Sequence, residues 1–454
     1  MTRSFKTVDY EATLDATIRL RDCVPETHLA RFVADLVAQL DLSAFYARYG
    51  TRGGSPYAPA VLLSLLFYGY ATGIFSARKI EAATYDQVAF RFLAGHTHPD
   101  HDTLAHFRVT FLDLLPDVFT QLLLLAQAAG VLRLGNISLD GSKFHADASK
   151  SQAVSYKRLL QLEERICGEV GALLARAEQA DTLPLPDGLV LAEELADRQA
   201  RLTRLAQAKT VLEARARERD AAAQAVYEAK VRERAARARR RGGKPRGRPP
   251  KPPPARGPQD DDQYNFTDPD SRIMKNATNA GFEQHYNAQV AVSEGSLFIV
   301  GQSLSNHPTD HGELLPTVDS IPAERGMPAA AAADTGFFSE ANVAGLEARG
   351  IDPHIATGRT GHGRDWQEHC APQEPAPLPP GATVREKMAH KLRTAAGRAI
   401  YRRRKCTVEP VFGIIKEVLG FRQFSLRGLP KAAGEWCLVC LAYNLTRLHR
   451  LTLA

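Results

Sequence analysis

The 454-residue sequence has little cysteine, and this excludes two classes of protein. Its six cysteines are too few for the disulfide framework of a small secreted domain. Cys437 and Cys440 form its only Cys-x-x-Cys pair, so no second pair completes a four-cysteine zinc site. Their setting, EWCLVCLAYNL, predicts an apolar helix face on which both thiols are buried.

The sequence also lacks convincing membrane-directed segments. The first residues, MTRSFKTVDYEATLD, contain no apolar core of a signal peptide. Residues 53–77 carry no charge, but they include prolines, serines, tyrosines and glycines. This composition favours a buried helix over a membrane span, and we expect no membrane partner.

Positive charge is concentrated in one segment. The net charge is +7, yet residues 230–256 hold twelve Lys or Arg residues against one Glu, which leaves −4 for the rest. Such clustering favours a polyanionic partner, with nucleic acid ahead of membrane. The segment includes KPRGRPPKPPP, which is typical either of a stiff solvated linker or of an AT-hook. In the second case, the groups that enter the minor groove belong to Arg246, Gly247, Arg248 and Pro249.

Hydrophobic periodicity predicts an α/β protein (α+β overall) with four regions. Residues 1–135 read as one helical domain. Residues 136–150 and 264–454 alternate strands and helices, which predicts a core built on a mixed sheet. Residues 151–241 form a long helical insertion, coiled-coil-like, whose apolar positions suit either an intramolecular hairpin or a dimer seam. Residues 242–263 are a basic, Pro-rich, disordered arm and linker.

Three acidic residues stand at the positions where sites form on such sheets. Asp140 ends the strand ISLD, Asp334 ends the run AAAAD, and Glu409 opens the helix-like EPVFGIIKEVLGF. Each acid alone could equally be a cap of a helix or turn. Together they would form an all-oxygen site suited to Mg²⁺ or Mn²⁺, and two such ions can assist cleavage of a phosphodiester.

Three blocks of the sequence resemble the signature blocks of DDE transposases from bacterial insertion sequences. These blocks are ISLDGSKFHADAS, ADTGFFSEANVAGLEARGID and Tyr401-x-x-Arg404 continuing to Glu409-Pro-Val-Phe-Gly-Ile-Ile-Lys416. The segments SARKIEAATYD and PDHDTLAHFR are similar to the helical domain that precedes the catalytic core in one branch of that family. The resemblance covers almost the whole chain outside the insertion and the arm.

The resemblance implies an RNase H-like core in which Asp140, Asp334 and Glu409 are the catalytic, metal-binding carboxylates. It implies Mg²⁺ as cofactor, replaceable by Mn²⁺, with two ions in each active site. DNA contacts are expected from Tyr401, Arg404, Lys405 and Lys416, besides the AT-hook-like Arg246 to Pro249. Lys416 follows Glu409 by seven residues, so a regular helix would carry both on one face.

The function that follows is DNA transposition. The enzyme would cut and rejoin DNA at the ends of its own insertion sequence, acting on terminal inverted repeats and target DNA as a homodimer in the cytoplasm, associated with the nucleoid. Two alternatives are a catalytically decayed DNA-binding protein and a metal-dependent nuclease without strand transfer. The N-terminal helices are expected to bind the DNA ends, with Arg108 among the candidates.

Some local features carry more than one interpretation. Pro410 directly follows Glu409, so a helix either begins there or kinks there. Asp310 is interpreted as the N-cap of a helix, with a position near the active site as the less favoured alternative. His145 could join a metal cluster with Asp140, although it is more typical of an ordinary polar residue on the strand.

Overall fold

A computed structural model describes residues 19–50, 56–179, 191–240, 242–244, 247–253, 256–275, 281–358 and 374–453. These residues form helices around a mixed sheet, which confirms the predicted α/β class. Buried side chains from Val24 to Leu448 belong to one continuous hydrophobic cluster. The division into domains stays a prediction.

The N-terminal part is helical, as predicted. Its helices are α1 (Leu29–Val37), α2 (Ser43–Tyr46), α3 (Pro59–Ala71), α4 (Ala77–Asp86), α5 (Val88–Leu93), α6 (His101–Thr110) and α7 (Leu115–Ala128). Pro59 opens α3, where a missing N–H costs nothing, and nearly every residue of α3 is buried. This confirms a buried helix within residues 53–77. The N-cap of α6 is Asp100, whose side chain accepts from the Thr103 N–H at 2.7 Å.

No single helix in the described ranges is long and apolar enough to span a membrane, although the bent pair α6 and Leu112–Ala128 passes by length and composition.

The central sheet combines antiparallel and parallel pairing. Its strands are β1 (Ile137–His145), β4 (Arg272–Lys275), β5 (Phe282–Ser293), β6 (Ile299–Ser305), β7 (Ala330–Ala333) and β8 (Asp352–Ile355). The order is β4-β5-β1-β7-β8, and β6 pairs with β5. Strands β5 and β6 form a hairpin, in whose turn Gly295 takes φ +84°. Strands β1, β7 and β8 are parallel neighbours.

Helices cover both faces of this sheet. Helices α10 (Leu314–Asp319) and α11 (Glu340–Ala348) follow β6 and β7. The C-terminal region contains α12 (Val384–Lys391), α13 (Ala395–Thr407), α14 (Glu409–Gly413), a π-helical turn (Ile414–Val418) and α15 (Leu429–Thr452). Helix α15 packs against β6 and also against α3 and α7 of the N-terminal part. Its Cys437 and Cys440 are buried free thiols, as predicted, and burial raises the pKa of Cys437 to about 12.

The insertion is a helical hairpin with its own small core. Helices α8 (Tyr156–Gln179) and α9 (Leu191–Arg240) run antiparallel, with ion pairs between Glu163 and Lys209 and between Glu169 and Arg198. Apolar residues of both helices form a separate cluster, which supports the intramolecular interpretation of their periodicity. The short pair β2 (Ala153–Ser155) and β3 (Gln263–Asn265) joins the two ends of the insertion.

Helix α9 extends beyond this base, and the arm returns along the extension. Near the base, Tyr156 lies 3.5 Å from Glu213. Further along α9, Arg219 bonds Asp262, and Arg234 donates to the Gly247 carbonyl oxygen at 2.6 Å. Against the expectation of a disordered arm, its described residues therefore lie alongside α9.

Candidate active site

Asp140 and Asp334 lie side by side on neighbouring parallel strands. Strand β1 pairs with β7 so that Ser138 is level with Ala332. Two residues further along each strand, Asp140 and Asp334 reach the same level and point to the same face. Parallel backbones are about 4.8 Å apart, so the register brings these two carboxylates together.

Asp310, a third acid, approaches the pair, and the N-cap interpretation of Asp310 is wrong. One carboxylate oxygen of Asp310 accepts from Asn287 at 2.8 Å and from Gln289 at 2.7 Å, both side chains of β5. This contact requires glycine at position 141, because a Cβ there would lie 2.7 Å from the Asp310 oxygen and 2.2 Å from Gln289. For Asp310, proximity to the active site was only the less favoured of the two interpretations that the sequence allowed.

Arg404 connects the strand carboxylates to the C-terminal helices. Its guanidinium lies 3.1 Å from Asp140 and 3.6 Å from Glu409. Tyr401 lies one turn earlier on α13; burial raises the pKa of Tyr401, and Asp334 and Asp140 add to the rise while Arg404 opposes it. The structure thus brings Tyr401, Arg404 and Glu409 to the two aspartates.

Glu409 reaches this position because a new helix begins there. Helix α13 ends at Thr407, Val408 separates the helices, and Pro410 lies in the first turn of α14. Of the two interpretations of Pro410, the structure supports the helix start. A proline is tolerated in a first turn because the N–H it lacks has no partner within the helix.

The electrostatics of Asp140 indicate excess negative charge. Burial raises the pKa of the Asp140 carboxyl to about 6, Arg404 opposes the rise, and Asp334 and Asp310 contribute to it. A buried carboxyl group with other carboxylates beside it is one whose negative charge a divalent cation would neutralise. The all-oxygen donor set therefore fits Mg²⁺ or Mn²⁺.

The Arg404 guanidinium lies beside Asp140 and Glu409, where it supplies part of the positive charge that a divalent cation would bring. In the described part of the chain, the groups of three or more candidate ligands within 4.8 Å of one another comprise only His145, Glu283 and His285. Asp140, Asp334 and Glu409 are thus further apart than one ion shared by all three would require. Asp140 and Asp334 would hold a cation here. Glu409 lies on the other side of the Arg404 guanidinium from Asp140.

Lys416 and Lys405 have different surroundings. The Lys416 ammonium donates to Ser142 at 2.6 Å and to the Lys143 carbonyl oxygen, and lies 4.6 Å from the centre of the Phe144 ring. Burial lowers the pKa of Lys416. Lys405 is exposed on α13. Lys416 therefore bonds β1 here, while Lys405 is free to meet a ligand.

The described residues of the AT-hook-like core are exposed. Gly247, Arg248 and Pro249 are exposed, and Gly247 takes φ +85°, a left-handed conformation that favours glycine. Arg246 lies outside the described residues.

Arg108 is not available to DNA. Its side chain is 9% exposed and bonds the Tyr70 hydroxyl at 2.9 Å and the Phe75 carbonyl oxygen at 3.2 Å. A guanidinium buried among helices cannot reach a phosphate, so the expectation that Arg108 contacts DNA is wrong.

His145 does not join Asp140. Five residues separate them on β1, so their side chains point to opposite faces of the sheet. His145 instead lies beside Glu283 and His285.

Comparison with known families gives two matches. Residues 18–110 match the family described as Transposase domain (DUF772), and residues 379–449 match the family described as Transposase DDE domain. No curated protein and no solved structure matches the chain. The second match contains Tyr401, Arg404 and Glu409, and the first contains helices α1 to α6.

Proposed function

We propose that this chain, whose residues 18–110 and 379–449 match two transposase families, is a DDE transposase that cuts and rejoins DNA at the ends of its own insertion sequence by metal-dependent phosphoryl transfer. The observation that carries the proposal is the carboxylate cluster at the rim of β1 and β7, joined to Glu409 through Arg404.

We infer that the sheet and its helices form an RNase H-like core. Support comes from the strand order, in which the antiparallel β6 and β5 precede β1, and the parallel β7 and β8 follow it. Asp140 then lies on β1, the first strand of this core along the chain. Asp334 directly follows β7, the fourth strand of this core along the chain, and Glu409 begins a C-terminal helix. The N-terminal helices are proposed to bind the terminal repeats.

Asp140, Asp334 and Glu409 are the proposed catalytic residues. Two Mg²⁺ ions held by these residues would polarise the scissile phosphate and lower the pKa of the attacking water or 3′-hydroxyl. Asp140 must be ionised to serve as a ligand, so its carboxyl loses its proton before or during metal binding. Asp310, held by Asn287 and Gln289, adds negative charge behind Asp140 and Asp334.

Arg404 and Tyr401 are proposed to act on DNA once the acids hold metal. Arg404 would leave the carboxylates and bond the phosphate backbone through its planar guanidinium. Lys405 supplies a second, exposed cation on the same helix. Lys416 would reach a phosphate only after leaving Ser142.

The test is cleavage of a duplex carrying the element's end. Asp140→Asn, Asp334→Asn and Glu409→Gln should each abolish Mg²⁺-dependent cleavage and joining, because each removes one proposed ligand. The matched control is Glu417→Gln, which changes an exposed glutamate paired with Arg422 near Glu409. Full cleavage by any of the three variants would refute the assignment.

A strand-transfer assay separates the remaining functions. A transposase joins the freed 3′-end to target DNA, a nuclease cleaves without joining, and a decayed protein binds DNA without either step. Sedimentation of the chain with and without end-bearing duplex tests the proposed homodimer on DNA.

A further inference from the structure

Two histidines and a glutamate meet where β1 and β5 pair at the end of the sheet. His145 is directly opposite His285 in this antiparallel pair, and their ring centroids are 4.4 Å apart. Glu283 is two residues before His285, and its Oε2 lies 3.0 Å from His145 Nδ1. One nitrogen of each histidine and one Glu283 oxygen all lie within 4.8 Å of one another.

The histidines are held in place by other bonds. The Nδ1–H of His285 donates to the Glu283 backbone carbonyl oxygen at 2.8 Å, which leaves Nε2 as the free ligand atom. Histidines that bind metals are oriented by this kind of bond from the second ring nitrogen. His145 is fixed through its backbone, since its N–H donates to the Arg422 carbonyl oxygen and its own carbonyl oxygen accepts from Phe424. The cluster is therefore ordered before any ion arrives.

The donor set selects a different ion from the acid cluster. Two imidazole nitrogens and one carboxylate suit zinc and related transition metals, while Mg²⁺ prefers oxygen. Three protein ligands leave a fourth position open to water. Access exists because the Glu283 side chain is 51% exposed and that of His145 is 38% exposed, although His285 is buried.

We propose that His145, Glu283 and His285 bind one zinc-class divalent ion. The site is separate from the carboxylate cluster, because His145 is five residues from Asp140, about 17 Å along an extended strand, and faces the other side of the sheet. Both strands of the β1–β5 pair supply ligands, so the bound ion cross-links them.

The test is a zinc titration of the full, tag-free chain after removal of metals with a chelator. Isothermal calorimetry should show one saturable zinc site, and the Tm should rise with zinc concentration. Glu283→Gln and His145→Gln should each weaken zinc binding more than about tenfold, since removal of outer-shell partners alone costs about 10–100-fold. These two variants are chosen because both side chains are partly exposed, so their replacement leaves the folded core unchanged.

Two control variants make the result specific. His307→Gln alters another His–Glu pair, in which His307 Nδ1 lies 2.8 Å from Glu313, and should leave zinc affinity unchanged. Asp140→Asn should also leave it unchanged. No saturable site, binding that persists in both ligand variants, or loss of binding in Asp140→Asn would each overturn the proposal, whatever the outcome of the DNA cleavage assay.

Discussion

Asp140 is a carboxyl group in surroundings that oppose its ionisation. Its pKa is about 6 in the folded protein, against 3.8 as the ordinary value, with burial as the first cause. Between these values the folded chain binds more protons than the unfolded chain, so stability falls as the pH rises through this window. Above about pH 6 the ionised carboxylate destabilises the fold.

Asp140→Asn should therefore stabilise the metal-free protein at alkaline pH. We expect the free energy of unfolding to rise by about 1–3 kcal/mol near pH 8, and the gain to disappear as the pH approaches 4. Urea unfolding at several pH values measures it. Asp113→Asn is the contrasting control, because the Arg48 hydrogen bond lowers the pKa of Asp113, so that variant gains no stability. An equal effect of Asp140→Asn at both pH extremes would contradict the explanation.

Among single residues, the sequence indicated those site residues that end an apolar run. Asp140 and Asp334 could be paired from the sequence because each ends an apolar run, although β1 continues beyond Asp140 to His145 and only β7 ends at this level. Asp310 could not, because the loop after β6 brings it across about 170 residues of chain, and no periodicity encodes such a contact. The expectation that Arg108 contacts DNA failed for a similar reason, since the partners that bury Arg108 come from other parts of the chain.

At the scale of elements, a buried glutamate joins the N-terminal helices to the C-terminal part of the chain. Glu435 of α15 is fully buried. It accepts from the Tyr70 hydroxyl at 2.9 Å and from the backbone N–H groups of Ser425 and Leu426, and Arg108 lies 3.8 Å away. Helices α3, α6 and α15 are thus tied together through one side chain.

Glu435→Ala should destabilise the protein by about 3–5 kcal/mol, because it leaves the Arg108 charge buried without its partner. Denaturant unfolding measures the loss. Glu417→Ala, which removes an exposed pair with Arg422, should change stability by less than about 1 kcal/mol. Equal losses of stability in the two variants would show that the buried contacts of Glu435 stabilise the fold no more than an exposed ion pair does.

The helices around Pro410 show where element prediction ends. Composition allowed a start or a kink at Pro410, and only the packing of α13 against β7 and β1 decides between them. The π-helical turn after Gly413, where the Leu419 N–H donates to the Ile414 carbonyl oxygen, was not predicted. One extra residue in a turn leaves the apolar pattern almost unchanged, yet it alters the expected shared face of Glu409 and Lys416.

At the scale of the whole molecule, the basic arm is expected to set the salt dependence of DNA binding. Replacing residues 244–254 with a Gly/Ser segment of equal length removes Lys244, Arg246, Arg248 and Lys251. The slope of log affinity against log salt should flatten by up to about four units, while cleavage at saturating protein persists. Binding isotherms on A·T-rich duplex across salt concentrations measure it. An unchanged slope would mean that the stretch is only a linker.

A charge-preserving variant separates an AT-hook from simple attraction. Gly247→Val keeps all four basic residues, but a β-branched side chain opposes the left-handed conformation at that position. It should retain the salt slope and lose the preference for A·T-rich over G·C-rich DNA. Equal preference in variant and parent would leave electrostatics as the whole explanation.

The projection of α9 past the β2–β3 base has a length close to one helical turn of B-DNA. From Ala216, level with the base, to Arg240, the helix advances about 36 Å. B-DNA completes one helical turn in about 34–36 Å. DNA held by the arm would therefore present the same groove face to the protein as DNA at the level of the base, one turn away. Inserting or removing a length of α9 equal to half a turn of DNA would shift that phase.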